Sequence, residues 1–191
     1  MGPVGIKETG KDIGGVVAGA GVSLPGLIID KKNEPLPISS IDFVLNINLR
    51  GMLNLTRQAL PYMANAKPDG PNGERSVIIM IASSVAFDGQ MGQVAYAASK
   101  GAVASLMLPL ARDLSRYGIR AVTMAPALFD SNMTKMMSSK VKQSLGNAME
   151  FPKRAGQPDE FARVVRDSVE SIMLNGTVIR LDGAMRMPAR L

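Results

Sequence analysis

The sequence predicts an α/β fold, a doubly wound parallel sheet of about four strands. Four short, nearly unbroken apolar runs punctuate the 191 residues, and stretches with apolar residues three and four apart lie between them. Clusters of Gly, Pro, Asn and Asp mark the junctions. Strands buried on both faces read as continuous apolar runs, and helices between parallel strands provide the cover. The chain reads as a single domain, residues 1–191, long enough to bury a sizeable core.

The first strand is Gly15-Val-Val-Ala-Gly19. Residues 25–37 read as a loop, with a proline at each end and a polar tip from Lys31 to Glu34. Ser39 or Ser40 can cap a helix from about Ile41 to residue 65, along which Phe43, Val44, Ile47, Met52, Leu55, Ala59 and Met63 keep helical spacing. A turn-rich stretch, 65–75, leads to the second strand at 76–82. One helix is then expected over 93–117, stopped by Gly118. The third strand, 119–125, ends at Pro126, and residues 135–149 read as helical cover rich in Met and Lys. Pro158 opens a helix over 159–173, and 176–181 is the last strand.

Composition narrows the chemistry. The chain has no Cys and no His, so thiolate and imidazole catalysis are excluded and no metal site is expected. Tyr, Lys, Ser and carboxylates remain. The lack of Cys fits a reducing compartment, and a cytoplasmic location is expected. No secretory signal and no apolar run long enough to span a membrane is read from the sequence. The net charge is +6, but basic residues are spread along the chain and aromatics make up 4%. That disfavours nucleic acid and suits an acidic substrate or a phosphate-bearing cofactor.

One constellation carries chemistry. Tyr96-x-x-x-Lys100 lies in a predicted helix, where positions i and i+4 share a face. A phenol is a poor base at neutral pH, and a cation held nearby favours its ionised form. Ser83 lies 13 residues before Tyr96, at the end of a predicted buried strand. A hydroxyl there can meet a substrate oxygen at the carboxyl edge of the sheet. Asn48, inside the preceding helix, has poor propensity for that position and needs another justification.

With these residues in register, the chain resembles the short-chain dehydrogenase/reductase family. Ser83, Tyr96-x-x-x-Lys100 and the Asn48-Leu-x-Gly51 helix match its active-site tetrad. Residues 90–96, 108–114 and 174–184 look like the branch containing short-chain 3-hydroxyacyl-CoA and 17β-hydroxysteroid dehydrogenases, and the likeness runs over about 14–188. The resemblance implies a Rossmann-type sheet and an NAD- or NADP-linked oxidoreductase acting on a secondary alcohol or ketone, with a small-molecule substrate. It makes Tyr96 the general acid/base and has Lys100 lower the Tyr96 pKa and bond the nicotinamide ribose. It has Ser83 hold the substrate oxygen and Asn48 anchor a water. Gly21, Pro126, Leu128, Phe129 and Ser131, with Tyr96 and Lys100, would contact the cofactor. A homo-oligomer through helices 41–65 and 93–117 is implied, and Met133, Met136, Met137 and Met149 could cover an apolar substrate. Two alternatives reuse the same residues: a non-redox isomerase, lyase or cyclase working with Tyr96 and Lys100, and a non-catalytic oligomer partner.

The amino-terminal stretch has two readings. Residues 9–14 could be a Gly-rich phosphate turn, with Asp30 as the ribose-binding acid. Alternatively, Val17-Ala-Gly-Ala-Gly21 corresponds to the family's later Asn-Asn-Ala-Gly strand end, with Ala18 and Gly19 in place of both Asn. The 27 residues from Gly21 to Asn48 favour the second. The expectation is then a truncated Rossmann-type sheet, the carboxyl-terminal portion of the fold, in which binding of intact cofactor by this chain alone is weak. Ala127 stands where the family usually has Gly, and Met80 at a common Asn position.

Overall fold

In the computed structural model, which describes residues 10–187 and Ala189, four strands form one sheet. They are β1 (Gly15–Ala18), β2 (Ser76–Ile81), β3 (Ile119–Pro126) and β4 (Thr177–Leu181). All neighbours are parallel and the order follows the chain, with Val17 opposite Ile79, Ile79 opposite Val122 and Met124 opposite Ile179. The continuous apolar runs of β2 and β3 have a plain cause: Ile78, Ile79, Met80, Ala121, Val122 and Met124 are fully buried. β1 lies at the sheet's margin, where Val17 is 56% exposed.

Two layers of helix cover the sheet. Between β1 and β2 run α1 (Ile38–Leu45), a π-helical segment (Asn46–Gly51) and α2 (Met52–Asn65). Between β2 and β3 run α3 (Val94–Ser105) and α4 (Met107–Leu114). Met52, Ala59 and Met63 of α2 pack with Val103, Met107 and Ala111 against Ile78, Met80 and Ala121. The opposite face, with Val77, Ile79, Val122 and Met124, is covered by Phe161, Val164 and Val165 of α7 (Pro158–Glu170). Short helices α5 (Asn132–Lys135) and α6 (Ser139–Asn147) follow β3, and a separate small core there joins Leu128, Leu145, Met149 and Met185.

Three details differ from the sequence reading. The first helix begins at Ile38, because Pro37 in extended backbone opens it and neither Ser39 nor Ser40 caps it. The helix expected over 93–117 breaks at Leu106. Pro109 has no N–H to offer the Ser105 carbonyl, and its ring crowds that oxygen. The third concerns the membrane test: the stretch Val94–Tyr117 is long and apolar enough, by length and composition, to cross a bilayer. Here its apolar face, with Val103, Met107, Ala111 and Leu114, is buried in the sheet core. Gly118 ends it as expected, at φ 66°, where a Cβ would come within 2.4 Å of the Gly73 carbonyl.

A buried cation ties α7 to the sheet. Arg120 of β3 is 5% exposed and donates to the carbonyls of Ser168, Val169 and Leu174 at 2.6–2.9 Å. It also pairs with Glu74 at 2.5 Å. The guanidinium thus satisfies carbonyls at the end of α7, where the helix dipole favours positive charge.

Candidate active site

The carboxyl edge of the sheet gathers the expected residues. Ser83 follows β2 in extended conformation and precedes a single 3-10 turn, Ser84–Ala86. Its hydroxyl accepts from the Val85 N–H at 3.3 Å and faces the Pro126 carbonyl at 3.5 Å, so it sits between the ends of β2 and β3. Tyr96 lies in the first turn of α3, and its phenol shares the cleft with the Ser83 side chain, near enough to feel the hydroxyl. One turn further, Lys100 is 4% exposed, and its ammonium donates to the Ile81 carbonyl at 2.7 Å. The Lys100 Nζ lies 5.9 Å from the centre of the Tyr96 ring.

Burial sets the electrostatics. It raises the Tyr96 pKa above the ordinary phenol value, with the neighbouring Ser83 hydroxyl opposing it. Burial also pulls Lys100 down to about 8. The sequence reading had the Lys100 cation bring the phenol towards working range as a base. In this structure the ammonium is held to the Ile81 carbonyl and the desolvation of Tyr96 prevails. Burial therefore favours the neutral phenol, which lies beside a second hydroxyl.

Asn48 finds its justification behind Lys100. It is fully buried in the π-helical segment, the kind of helix irregularity that often marks a functional site. Its Oδ1 accepts from the Val22 N–H at 2.7 Å, and its Nδ2 donates to the Val22 carbonyl at 2.9 Å and to Ser99 Oγ at 3.0 Å. Ser99 Oγ in turn donates to the Tyr96 carbonyl at 2.7 Å. One amide thus clamps the segment after β1 to the helix carrying Tyr96. Gly21 sits in the clamp, where a Cβ would come within 3.3 Å of Lys100 Nζ and 3.4 Å of Asn48 Oδ1.

These groups line a cleft of about 480 Å³. Gly21, Ser83, Tyr96 and Lys100 form one side, and Pro126, Phe129 and Ser131 the other. Leu128 is a correction: its side chain is 6% exposed and packs with Leu145, Met149 and Met185, because an apolar group after the strand end finds burial away from the cleft. The methionine cover also divides. Met133 lines the cleft, Met137 and Met149 belong to the small core, and Met136 is 83% exposed. Asn48 lies behind the cleft wall.

Sequence reasoning missed Thr134 and Phe161. Thr134 Oγ1 donates to the Phe129 carbonyl at 2.9 Å and accepts from the Ser131 N–H at 2.8 Å, completing a capping box that fixes the loop over the cleft. The Ser131-x-x-Thr134 pattern was its available signal. Phe161 comes from α7, 32 residues beyond Phe129, and meets its ring edge-on at 5.6 Å. No short motif joins the two.

The amino-terminal alternatives also separate. Thr9 lies outside the described residues. From β1 onward no helix begins before Ile38, whereas a phosphate turn leads straight into one. Asp30 is exposed and accepts from the backbone N–H groups of Lys32 and Glu34, so it stabilises its own turn away from the cleft.

Comparison with known proteins identifies the family. The family model for short chain dehydrogenase matches residues 5–142. The chain belongs to the short-chain dehydrogenase family. It is 45% identical over 158 residues to the 3-hydroxyacyl-CoA dehydrogenase type-2 of Rattus norvegicus, covering 83% of this chain and 60% of that relative. It is 35% identical over 184 residues to the ipsdienol dehydrogenase of Ips pini, covering 95% of this chain and 72% of that one. The crystal structure of 3-hydroxyacyl-CoA dehydrogenase type-2 from Mycobacterium avium superimposes with a TM-score of 0.90 at 32% identity, over 96% of this chain and 72% of that one. The present chain thus spans about 60% of the curated type-2 relatives it matches.

Proposed function

We propose that the chain forms the catalytic end of an NAD(P)-linked oxidoreductase that interconverts a secondary alcohol and a ketone. The observation that carries this reading is the meeting of the Ser83 hydroxyl, the Tyr96 phenol and the buried Lys100 ammonium at one cleft. Names of relatives point to a 3-hydroxyacyl-CoA or 3-oxoacyl-CoA as the substrate class.

The nicotinamide-riboside end of the cofactor fits the residues present. Lys100 uses one of its three N–H donors on Ile81, and Gly21 leaves room beside it. Tyr96, Pro126, Phe129 and Ser131 complete the wall that would hold that end. Among the described residues no Gly-rich strand-to-helix turn is present for the pyrophosphate. This polypeptide by itself is therefore expected to bind intact NAD(P) weakly, and turnover requires a high cofactor concentration.

A nicotinamide held there would supply the hydride in reduction and accept it in oxidation. The Ser83 hydroxyl donates to the substrate carbonyl oxygen and fixes its position. The Tyr96 phenol delivers its proton to that oxygen as negative charge builds there. Lys100 stabilises the negative charge left on the phenolate, and in oxidation each proton movement reverses. Reduction uses the protonated phenol and the charged ammonium, so it should hold through neutral pH and decline above about 8, where Lys100 loses its proton. Oxidation starts from the phenolate and should instead gain as pH rises. Assaying a short 3-oxoacyl thioester with saturating NADH, and the 3-hydroxy product with saturating NAD, across pH tests the reading. No turnover in either direction with a filled site would refute it.

Self-association through helices α1–α2 and α3–α4 is proposed as well. Phe43, Leu53, Leu55 and Leu108 remain 41–49% exposed there. Ala102, on α3, would admit a partner helix closely. Light scattering over a dilution series should show an oligomer that Ala102→Arg dissociates, with the subunit's helicity retained. A stable monomer at micromolar concentration would remove this proposal.

A further inference from the structure

Charge is less evenly spread than the whole sequence suggests. Residues 131–154 contain Lys135, Lys140, Lys142, Lys153 and Arg154 against one acid, Glu150. A net four of the chain's six positive charges therefore fall on 24 of its 191 residues. The first four residues of this segment, 131–134, line the catalytic cleft. Behind it lies a groove of about 360 Å³, which shares Asp130 and Thr134 with the cleft as a common wall.

The groove's charges divide into two kinds. Arg154 is held by both oxygens of Glu160 at 2.7–2.8 Å, and Asp130 accepts from the Gln157 amide at 3.0 Å. These pairs build the walls. Lys142 donates to the Lys135 carbonyl at 3.2 Å, and among the described residues no carboxylate pairs with Lys142 or Lys153. The side-chain amides of Gln143 and Asn147 add neutral donors to the same concavity. Two cations without carboxylate partners, two amides and a shared wall with a carbonyl-binding cleft suit a ligand whose reactive end is neutral and whose far end is polyanionic.

We propose that this groove takes the phosphorylated adenosine end of a coenzyme A thioester while the acyl end lies at Ser83 and Tyr96. The assignment rests on the reading of the cleft as a thioester-reducing site. Lys142 and Lys153 meet the phosphates, whose attraction to exposed cations weakens as salt rises. The small volume and the absence of aromatic side chains from its lining argue against a nucleic-acid strand.

Titration calorimetry of the full chain with coenzyme A and with 3′,5′-ADP, without nicotinamide cofactor, tests it directly. Both should bind, more weakly at higher salt, and Lys142→Glu/Lys153→Glu should weaken both by about tenfold or more, a loss of about 1.4 kcal/mol. Unchanged binding in the double variant would overturn the proposal. So would equal affinity for ADP, which lacks the 3′-phosphate and would mark a general anion site. With saturating NADH, the double variant should raise KM for 3-oxobutanoyl-CoA and leave kcat, and the KM for the N-acetylcysteamine thioester, unchanged. If the short thioester is reduced while coenzyme A fails to bind, only the groove assignment falls. If coenzyme A binds and neither thioester is reduced, the proposed reaction falls and the groove stands.

Discussion

Replacing Lys100 by methionine is expected to stabilise the protein at neutral pH while removing its activity. Burial lowers the Lys100 pKa from 10.5 to about 8, so the folded state carries its ammonium against a desolvation penalty. The folded pKa is the lower one, so between about 8 and 10.5 the unfolded chain binds the extra proton and stability rises with pH. The penalty is fully present below about 8, and a shift of this size corresponds to roughly 3 kcal/mol. Methionine fills similar space without the charge but leaves the Ile81 carbonyl without its donor, which costs about 1–2 kcal/mol. A net gain of about 1–2 kcal/mol at pH 7 should remain, shrinking as pH rises towards 10.5. Denaturant melts at pH 7 and pH 10 measure it. A variant less stable than wild type at both pH values would mean that the Ile81 hydrogen bond outweighs the buried charge.

Tyr96→Phe should lower kcat by about 10² to 10⁴-fold, the range for losing a positioned general acid. The fold should persist, because Asn48 and Ser99 hold α3 through backbone and side-chain groups that the substitution leaves intact. Burial favours the neutral phenol, and phenylalanine keeps the ring, so thermal stability should change little. A variant that keeps the wild-type kcat would move the proton to another group and dissolve the role assigned to Ser83 as well.

The fold was legible where burial leaves a pattern. β2 and β3 are covered on both faces, so 76–82 and 119–125 read as apolar runs, and the parallel sheet followed from their alternation with helices. Ser83, Tyr96 and Lys100 were legible because their spacing survives as strand end and helix turn. Other features depend on contacts between distant residues. The π-helical turn at Asn48 makes sense only beside Val22, 26 positions away. Leu128 turns from the cleft because Met149 and Met185 offer it a dry surface. The break at Leu106 was available in Pro109, but the strong apolar periodicity masked it. Net charge averaged over the chain likewise concealed the basic segment beside the cleft.

The central claim is that this cleft reduces a carbonyl with a proton from Tyr96. The direct test is label transfer. The chain is incubated with a 3-oxobutanoyl thioester and 4-deuterated NADH, both hydrogens at C4 being labelled, at concentrations that titration shows to fill the site. Deuterium at C3 of a 3-hydroxybutanoyl product, and its loss in Tyr96→Phe, is the expected result. An unlabelled product, no product from the filled site, or undiminished transfer in Tyr96→Phe would contradict the account.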